Sequence, residues 1–436
     1  MPAMTRQTTL DMAAFIDAAP SPYHAALEAA ARLEAAGSTL LDEASAWDLQ
    51  PGTYHYVRGG CLMAFHLPGG VAPGTGVRVI GAHTDSPNLR VKPRANTGRV
   101  GVRQLGVEIY GGALLNSWLD RDLGLSGRVV VRDEDGPVGQ RTVTFRFDEP
   151  LLRVPQLAIH LDREIHTNGL LLNKQTHMAP MWALGEREDR GFEDFLEGRL
   201  ELDGGSLIGW DVMAHDLTPS RLIGRDEEFL AAPRLDNLHS SFLALAAFLD
   251  VTAEGIPDDA PVPMIALFDH EEVGSESTAG AAGPILASTI ERVLTAAGCG
   301  DRDAMHRSIQ ASLCCSADMA HATHPNYVDR HEPDHHLAMN AGPVIKLNAN
   351  NRYATDGTTE AVFQRAAERA GVPFQKWVNR TDLACGSTIG SITAARLGMP
   401  TVDVGCAQLS MHSAREVAGA DDPHHMRLAL GEFLRI

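Results

Sequence analysis

Apolar, strand-like runs in this sequence are repeatedly followed by a histidine or a carboxylate, and this placement most constrains the fold. The residues are His83 after VRVIGA, Glu271 and Glu272 after MIALFDH, Asp318 after SLCCSA, and His412 downstream of PTVDVG. Asp236 stands instead at the start of an apolar helical segment, LDNLHSSFLALAAFLD. In α/β folds, ligand sites form where strands end at their carboxyl side. The pattern therefore predicts an α/β protein in which distant segments converge on one site.

These residue types are the usual ligands of metal ions in hydrolases. Two bridged metal ions and one free carboxylate would supply a nucleophile, a polarised carbonyl and a proton shuttle for amide hydrolysis. Each residue also has an ordinary alternative. His83 is compatible with a structural histidine, Asp236 with a helix N-cap, and the two glutamates with a solvated turn. The recurrence from position 83 to position 412 favours a shared metal site.

The adjacent pair Glu271–Glu272 carries most of the chemical interpretation. Two carboxylates directly after a buried run are costly to desolvate unless a cation compensates them. Neighbouring side chains at a strand end point in different directions, so one can bind metal while the other takes a proton from water. Asp85, two residues after His83, is predicted to orient the imidazole from behind.

Charge and composition restrict the partners. The chain has 37 basic and 56 acidic side chains, a formal charge of −19, which disfavours nucleic acid and anionic membrane surfaces. No run of 18 apolar residues and no signal-peptide pattern is present, and the six cysteines lack paired spacing. We therefore expect a cytoplasmic protein that binds neither nucleic acid nor membrane.

The 436 residues predict more than one domain. We expect one domain in two segments, 1–95 and 226–436, interrupted by a β-rich insert at 96–225, where short alternating runs and turns prevail. Outside the insert, strands alternate with helices. The fold class is thus α/β, with a mixed or parallel central sheet flanked by helices.

Several segments together resemble the M18 metallopeptidases, the aspartyl aminopeptidases. They are GAHTDSPNLRVKP, LAIHLDRE, NKQTH, PRLDNL, DHEEVGS, SADMAHATHPNY, GPVIKLNANNRYAT and MHSARE. The resemblance runs from near Ser21 to beyond His412. Any one of these motifs is weak, but the ordered set is specific.

This resemblance implies a zinc exopeptidase-like fold whose β-rich insert mediates dimerisation, with dimers assembling into a dodecamer. It also implies two Zn²⁺ per subunit, with Co²⁺ or Mn²⁺ as possible substitutes. The implied metal ligands are His83, Asp236, Glu272, Asp318 and His412. Asp236 would bridge the two ions, and Glu271 would be the general base.

The resemblance further implies a set of substrate residues: His160, His321, Lys346 and Tyr353. His160 in the insert is implied either as a metal ligand or as a group that reaches a neighbouring subunit; the residues alone equally allow a structural histidine. Lys346 is a lone cation in an apolar strand, and either an acidic substrate or an internal ion pair would compensate it. The remaining histidines of the histidine-rich loop, residues 321–336, read as exposed loop residues.

The sequence thus predicts a metallo-aminopeptidase that releases N-terminal Asp or Glu from short peptides. Two alternatives stay open. One is a broad-specificity metalloaminopeptidase or a deacylase that uses the same metals. The other is a non-catalytic scaffold of the same fold, against which the free carboxylate of Glu271 argues.

Overall fold

The computed structural model describes residues 3–202 and 206–436. The chain forms two compact units. The first comprises 1–85, 220–411 and 416–436, and the second comprises 86–219 and 412–415. These limits lie within ten residues of the boundaries predicted at 95/96 and 225/226. The segment 412–415 is an addition to the second unit that the sequence pattern does not indicate.

The α-helices, in chain order, are α1 (Ala3–Ala18), α2 (Pro22–Ala35), α3 (Ile165–Asn168), α4 (Gly191–Arg199), α5 (Leu235–Glu254), α6 (Ile285–Ala296), α7 (Arg302–Gln310), α8 (Gly357–Ala370), α9 (Ile389–Leu397) and α10 (Asp422–Arg435). Ser21 and Pro22 start α2 as N-cap and first-turn proline, which is the helix-start signal of the sequence. None of the helices in the described ranges is long and apolar enough to cross a membrane.

The strands are β1 (Thr39–Leu40), β2 (Gly52–Arg58), β3 (Cys61–Leu67), β4 (Val77–His83), β5 (Asn88–Arg99), β6 (Val102–Tyr110), β7 (Leu123–Arg132), β8 (Gln140–Leu152), β9 (Met181–Leu184), β10 (Leu207–Asp216), β11 (Arg221–Ile223), β12 (Phe229–Ala232), β13 (Val262–Phe268), β14 (Leu313–Ala317), β15 (Ala320–His321), β16 (Val344–Leu347), β17 (Gln375–Val378), β18 (Thr401–Gly405), β19 (Ala407–Leu409) and β20 (Glu416–Gly419).

A nine-stranded mixed sheet forms the centre of the first unit, in the order β1-β2-β3-β13-β4-β14-β18-β16-β17. Its middle strands β13, β4, β14 and β18 are parallel, so their carboxyl ends meet at one edge. All residues of β13 and β18 are buried, as expected for strands covered on both faces.

Alternation along these strands divides the core into two layers. In β4, Ile80 and Ala82 pack in one hydrophobic cluster with residues of α1, α2, α5, α8 and α10. Val77 and Val79 face the other cluster, which contains residues of α6. Helices therefore flank the sheet on both faces, and the predicted mixed α/β class is confirmed. A five-stranded sheet, β11-β12-β20-β19-β15, completes the first unit.

The second unit is built on a six-stranded antiparallel sheet in the order β8-β7-β10-β5-β6-β9. One face packs against α4 through an aromatic cluster that includes Phe147, Trp182 and Phe195. The alternating runs RVVVR and RTVTFRF form the paired strands β7 and β8, because a half-buried strand needs that two-residue period.

Candidate metal centre

Four separate segments of the first unit bring metal-type residues together at the carboxyl edge of the central sheet. His83 ends β4, Asp318 directly follows β14, and Asp236 lies in the first turn of α5. Glu271 and Glu272 form a short 3-10 turn after β13. We call these five residues the strand-end cluster.

His83 lies at the middle of the strand-end cluster and is 1 % exposed. Its Nε2 is 3.3 Å from Asp236 Oδ1, 3.7 Å from Asp318 Oδ1 and 3.9 Å from Glu271 Oε2. Its Nδ1 lies 3.0 Å from the carbonyl oxygen of Asp85 and 3.4 Å from that residue's Oδ1. A proton on Nδ1 would leave the Nε2 lone pair facing the carboxylates, which is the orientation that a metal-binding histidine needs.

Asp85 is completely buried and organises the turn that carries the two glutamates. Its Oδ1 accepts a hydrogen bond from the Glu271 N–H at 3.0 Å, and its Oδ2 accepts one from the Glu272 N–H at 3.1 Å. His270 and Gly274, both with positive φ, precede and follow the turn. The carboxylate of Asp85 therefore positions the glutamates, in addition to its contact with His83.

The electrostatics of the strand-end cluster favour a positive charge. Burial raises the pKa of Glu271 to about 8, and Asp318, Asp236 and Asp85 add to this rise while His83 opposes it. Burial opposes a charge on His83, but the carboxylates of Asp236, Asp318 and Asp85 hold the pKa of His83 well above its usual value. The crowded carboxylates thus favour a proton on a buried imidazole. A divalent cation would satisfy the same demand.

The donor set also fits a metal in its spacing. Ligand atoms of His83, Asp236 and Asp318 lie within 4.8 Å of one another, as do those of His83, Glu271 and Glu272. Imidazole and carboxylate donors suit zinc and other first-row divalent ions. One histidine and four carboxylates offer more donors than a single tetrahedral ion takes up, although His83 itself can bind only one ion through Nε2.

His412 begins the short segment 412–415, which packs with the second unit. Its backbone has a positive φ of 67°, and its Nδ1 lies 3.2 Å from the carbonyl oxygen of Gly112. Its role as a metal ligand stays a prediction.

Lys346 is 1 % exposed, and the structure gives it partners within the protein. Its Nζ donates to the carbonyl oxygens of Asp318 at 2.9 Å and Met319 at 3.2 Å, and it lies 3.9 Å from Asp318 Oδ2. It also lies 5.1 Å from the ring centre of Tyr353. These contacts fix the turn that presents Asp318, so the internal ion pair that the sequence left open is present.

The other predicted substrate residues lie in two places. Tyr353 is buried, and burial raises its pKa; its ring and that of His321 both pack near Trp377, at 5.9 and 6.0 Å between centroids. His160 belongs to the second unit, where it is exposed in a turn.

Three buried residues that the sequence pattern does not single out hold the cluster in place. Glu416 accepts a hydrogen bond from the Asp236 N–H at 3.0 Å. Asn237 donates to the carbonyl oxygen of Ala317 at 2.9 Å, and Ser241 donates to that of His83 at 2.7 Å. One sequence signal could have identified Glu416. It stands at the start of the short apolar run VAGA, where burying a carboxylate without a partner costs desolvation free energy.

Buried histidine and carboxylate donors lie at the carboxyl edge of the sheet in this α/β fold. This arrangement is typical of the active site of a metallohydrolase. The model of one protein family, described as aminopeptidase I zinc metalloprotease (M18), matches residues 15–434. The chain belongs to the M18 aminopeptidase family, and it is therefore a metallo-aminopeptidase, a peptide hydrolase.

Individual relatives agree over the full length. A probable M18 family aminopeptidase 2 from Streptomyces coelicolor is 51% identical over 432 residues, which cover 99% of this chain and 98% of the relative. A chain from the cryo-EM structure of the Ape4 and Nbr1 complex has a TM-score of 0.92 and 36% identity, covering 100% of this chain and 87% of that one. A chain from the structure of the S. cerevisiae mApe1 dodecamer has a TM-score of 0.84 and 27% identity, and the match covers 98% of this chain and 96% of that one.

Proposed function

We propose that this metallo-aminopeptidase releases Asp or Glu from the N-termini of short peptides at a centre that holds two zinc ions. The observation that carries the proposal is the strand-end cluster, in which His83, Asp236 and Asp318 are buried and Glu271 and Glu272 half-buried, and in which the crowded carboxylates favour a positive charge. His83, Asp236, Glu272, Asp318 and His412 are the proposed ligands.

When bound, the metal ions would lower the pKa of a water molecule and polarise the scissile carbonyl. Glu271 is the proposed general base. Its carboxylate faces His83 Nε2 at 3.9 Å, and Asp85 holds its backbone in place. Glu271 takes the proton of the attacking water and returns it to the departing amine, so that one group serves both halves of the hydrolysis.

The acidic specificity is supported by the sequence resemblance and by one buried cation, Lys346. A second candidate is an aminopeptidase for peptides whose N-terminal residue has a neutral side chain. This candidate is favoured by one observation, because the Nζ of Lys346 already donates to the carbonyl oxygens of Asp318 and Met319. If those contacts are its whole role, Lys346 selects no substrate. The two candidates share the same metals and the same base.

A fluorogenic dipeptide panel separates these candidates. Zinc-loaded protein is assayed with N-terminal Asp, Glu, Leu, Lys and Ala, with and without a chelator. Chelator-sensitive cleavage of Asp and Glu in preference to the others supports the proposal, whereas preferred cleavage of Leu or Ala contradicts the acidic specificity. Absence of any cleavage would favour the scaffold alternative.

Lys346→Met, compared with Lys376→Met as a control, tests the origin of specificity. Lys376 is 45 % exposed and pairs with Glu360. A fall in the Glu-to-Leu cleavage ratio for Lys346→Met alone assigns acid recognition to Lys346. An unchanged ratio with reduced turnover assigns it to positioning Asp318.

We also propose a homo-oligomer, a dodecamer built from dimers. In the second unit, the segment around His160 exposes several large apolar side chains, namely Leu157, Ile159, Leu161 and Leu171. Clustered exposed apolar residues mark interaction surfaces. Light scattering that gives a monomer at micromolar concentration would contradict this assembly.

The zinc count and the location are proposals as well. Metal analysis of protein purified without chelator should give two zinc ions per chain, and one ion would contradict the two-metal centre. The cytoplasm is the proposed location, as expected from the sequence.

A further inference from the structure

Asp403 is a buried carboxylate in the central sheet that does not belong to the strand-end cluster. It lies on β18 and is 0 % exposed. Among the described residues, no group whose ligand atoms lie close enough together to hold a metal ion includes it. A buried carboxylate needs hydrogen bonds or a cation to compensate its charge. The partners of Asp403 therefore indicate its role.

Lys346 is the cation that faces Asp403. Strands β16 and β18 pair antiparallel, with Ile345 opposite Val404. The next pair in this register is Lys346 and Asp403, and opposite residues share one face of a sheet with Cβ atoms about 5 Å apart. Because Ile345 and Val404 pack in the core cluster with α5 and α10, the next pair points to the other face. Burial raises the pKa of Asp403, and the charge of Lys346 is the largest influence that opposes this rise.

Asp403 also fixes the segment that carries Tyr353. Its Oδ2 accepts a hydrogen bond from the Ala354 N–H at 2.6 Å, and its own N–H donates to Thr355 Oγ1 at 2.8 Å. The two residues that follow Tyr353 are thus both bonded to Asp403. The ring centre of Tyr353 lies 5.1 Å from the Nζ of Lys346. Asp403 therefore holds in place both a cation and the aromatic ring beside it.

The start of α9 is shaped around the same carboxylate. The hydroxyl of Thr388, the N-cap residue of α9, donates to Asp403 Oδ1. At Gly390, a Cβ atom would collide with both carboxylate oxygens of Asp403. The close packing at Gly390 and the bonds to three segments leave the carboxylate one position.

Lys346 connects Asp403 with the turn that presents Asp318. Its Nζ donates to the carbonyl oxygens of Asp318 at 2.9 Å and Met319 at 3.2 Å. The Asp318 N–H donates to the carbonyl oxygen of Val404 at 2.9 Å. Both contacts of the turn thus come from neighbours of Asp403, one across the sheet and one along the chain.

From this arrangement we propose that Asp403 is a positioning residue for the metal centre. Its charge and its hydrogen bonds keep Lys346 and Tyr353 in one arrangement, and Lys346 in turn holds the turn of Asp318. The inference rests on the proposed role of Asp318 as a zinc ligand. It predicts that removal of the Asp403 charge weakens zinc binding through Lys346.

Chelator competition on the full-length protein tests this role by comparing the zinc affinity of Asp403→Asn with that of a matched control, Asp250→Asn. Asp250 also faces a cation, since Arg427 donates to both of its carboxylate oxygens at 2.6 Å. Asp250 lies near the end of α5 and Asp236 in its first turn, about 20 Å apart along the helix. Asp403→Asn should weaken zinc binding about tenfold, as expected for a group that supports a ligand. The control should bind zinc as the wild type does.

A double variant shows whether Asp403 acts through Lys346. Once Lys346→Met is present, Asp403→Asn should cause no further loss of zinc affinity, whereas a general loss of stability would add to the effect of Lys346→Met. The visible absorption of the cobalt-loaded protein is a second readout, because it depends on the geometry of the ligands. The absorption bands should shift in Asp403→Asn and not in Asp250→Asn.

Three results would overturn the role of Asp403: zinc affinity equal to that of the wild type, additive losses in the double variant, or an unchanged cobalt spectrum. None of them would contradict the ligand set, because the wild type would still bind zinc. A wild type that binds no zinc would overturn the ligand set and this inference together. If Asp403→Asn does not fold, Thr388→Val removes one hydrogen bond of the carboxylate and should weaken zinc binding about threefold; an unchanged affinity would then decide against the role.

Discussion

The strand-end cluster and the histidine-rich loop at 321–336 contain similar residue types in different surroundings. In the loop, His331 Nε2 accepts a hydrogen bond from the nearby His324 N–H, and His335 Nδ1 lies 2.6 Å from Glu332 Oε2. In the cluster, His83 meets carboxylates more than 150 residues away in the chain. Among the described residues, no group whose ligand atoms lie close enough together to hold a metal ion includes a residue of this loop.

This difference shows that the density of histidines in a sequence is a weak guide to where histidines and carboxylates converge in the fold. Loop histidines satisfy their hydrogen bonds with close sequence neighbours and keep contact with water. The cluster buries several carboxylates together, which is costly without a cation. Four predictions follow from the contrast, in order of decreasing effect.

Glu271→Gln should lower turnover about 10³-fold, because the amide cannot take the proton from water. Zinc content should stay at the wild-type value. Glu276→Gln, an exposed glutamate five residues further on, is the matched control and should keep full activity. Peptide hydrolysis and metal analysis on the same samples check both points; an active Glu271→Gln enzyme would refute the role of Glu271.

His83→Ala should weaken zinc binding about 100-fold or more, since even residues that only support ligands change affinity by 10–100-fold. His335→Ala removes a histidine from the loop and should leave zinc affinity unchanged. Competition with a chromophoric chelator measures both constants. An equal loss of zinc affinity in the two variants would contradict the proposed difference between the strand-end cluster and the loop.

His239 in α5 should make the protein acid-sensitive. Burial lowers its pKa to about 3, so the unfolded chain binds a proton between about pH 6.5 and 3 that the folded protein does not. The stabilising contribution is complete above pH 6.5 and declines as the pH falls. From pH 7.5 to 5 the wild type should lose about 2 kcal/mol more unfolding free energy than His239→Leu.

Urea unfolding at saturating zinc measures this difference for His239. His336→Leu is the matched control, because His336 is exposed in the histidine-rich loop. It should show the same pH dependence as the wild type. An identical dependence in His239→Leu would contradict a neutral, buried His239.

Glu416→Ala should weaken zinc binding about tenfold by releasing the Asp236 N–H. Glu416→Gln keeps an acceptor oxygen and should restore most of the affinity. The same chelator competition distinguishes the two variants. If both bind zinc as the wild type does, Glu416 does not position Asp236.

Local features of the sequence determined much of the fold. Two-residue alternation and apolar runs identified β4, β13 and β18, and Ser21–Pro22 marked the start of α2. Metal-type residues after such runs indicated which side chains converge at the carboxyl edge of the central sheet. These inferences succeed because periodicity and chain-end signals depend on neighbours in sequence.

Only the tertiary structure decided which partners these residues meet. Lys346 contacts the Asp318 turn, Asp85 holds the N–H groups of both glutamates, and Glu416 accepts from Asp236 across 180 positions. Hydrogen bonds and charge compensation act through space, so a linear pattern gives the residue types but not their pairing.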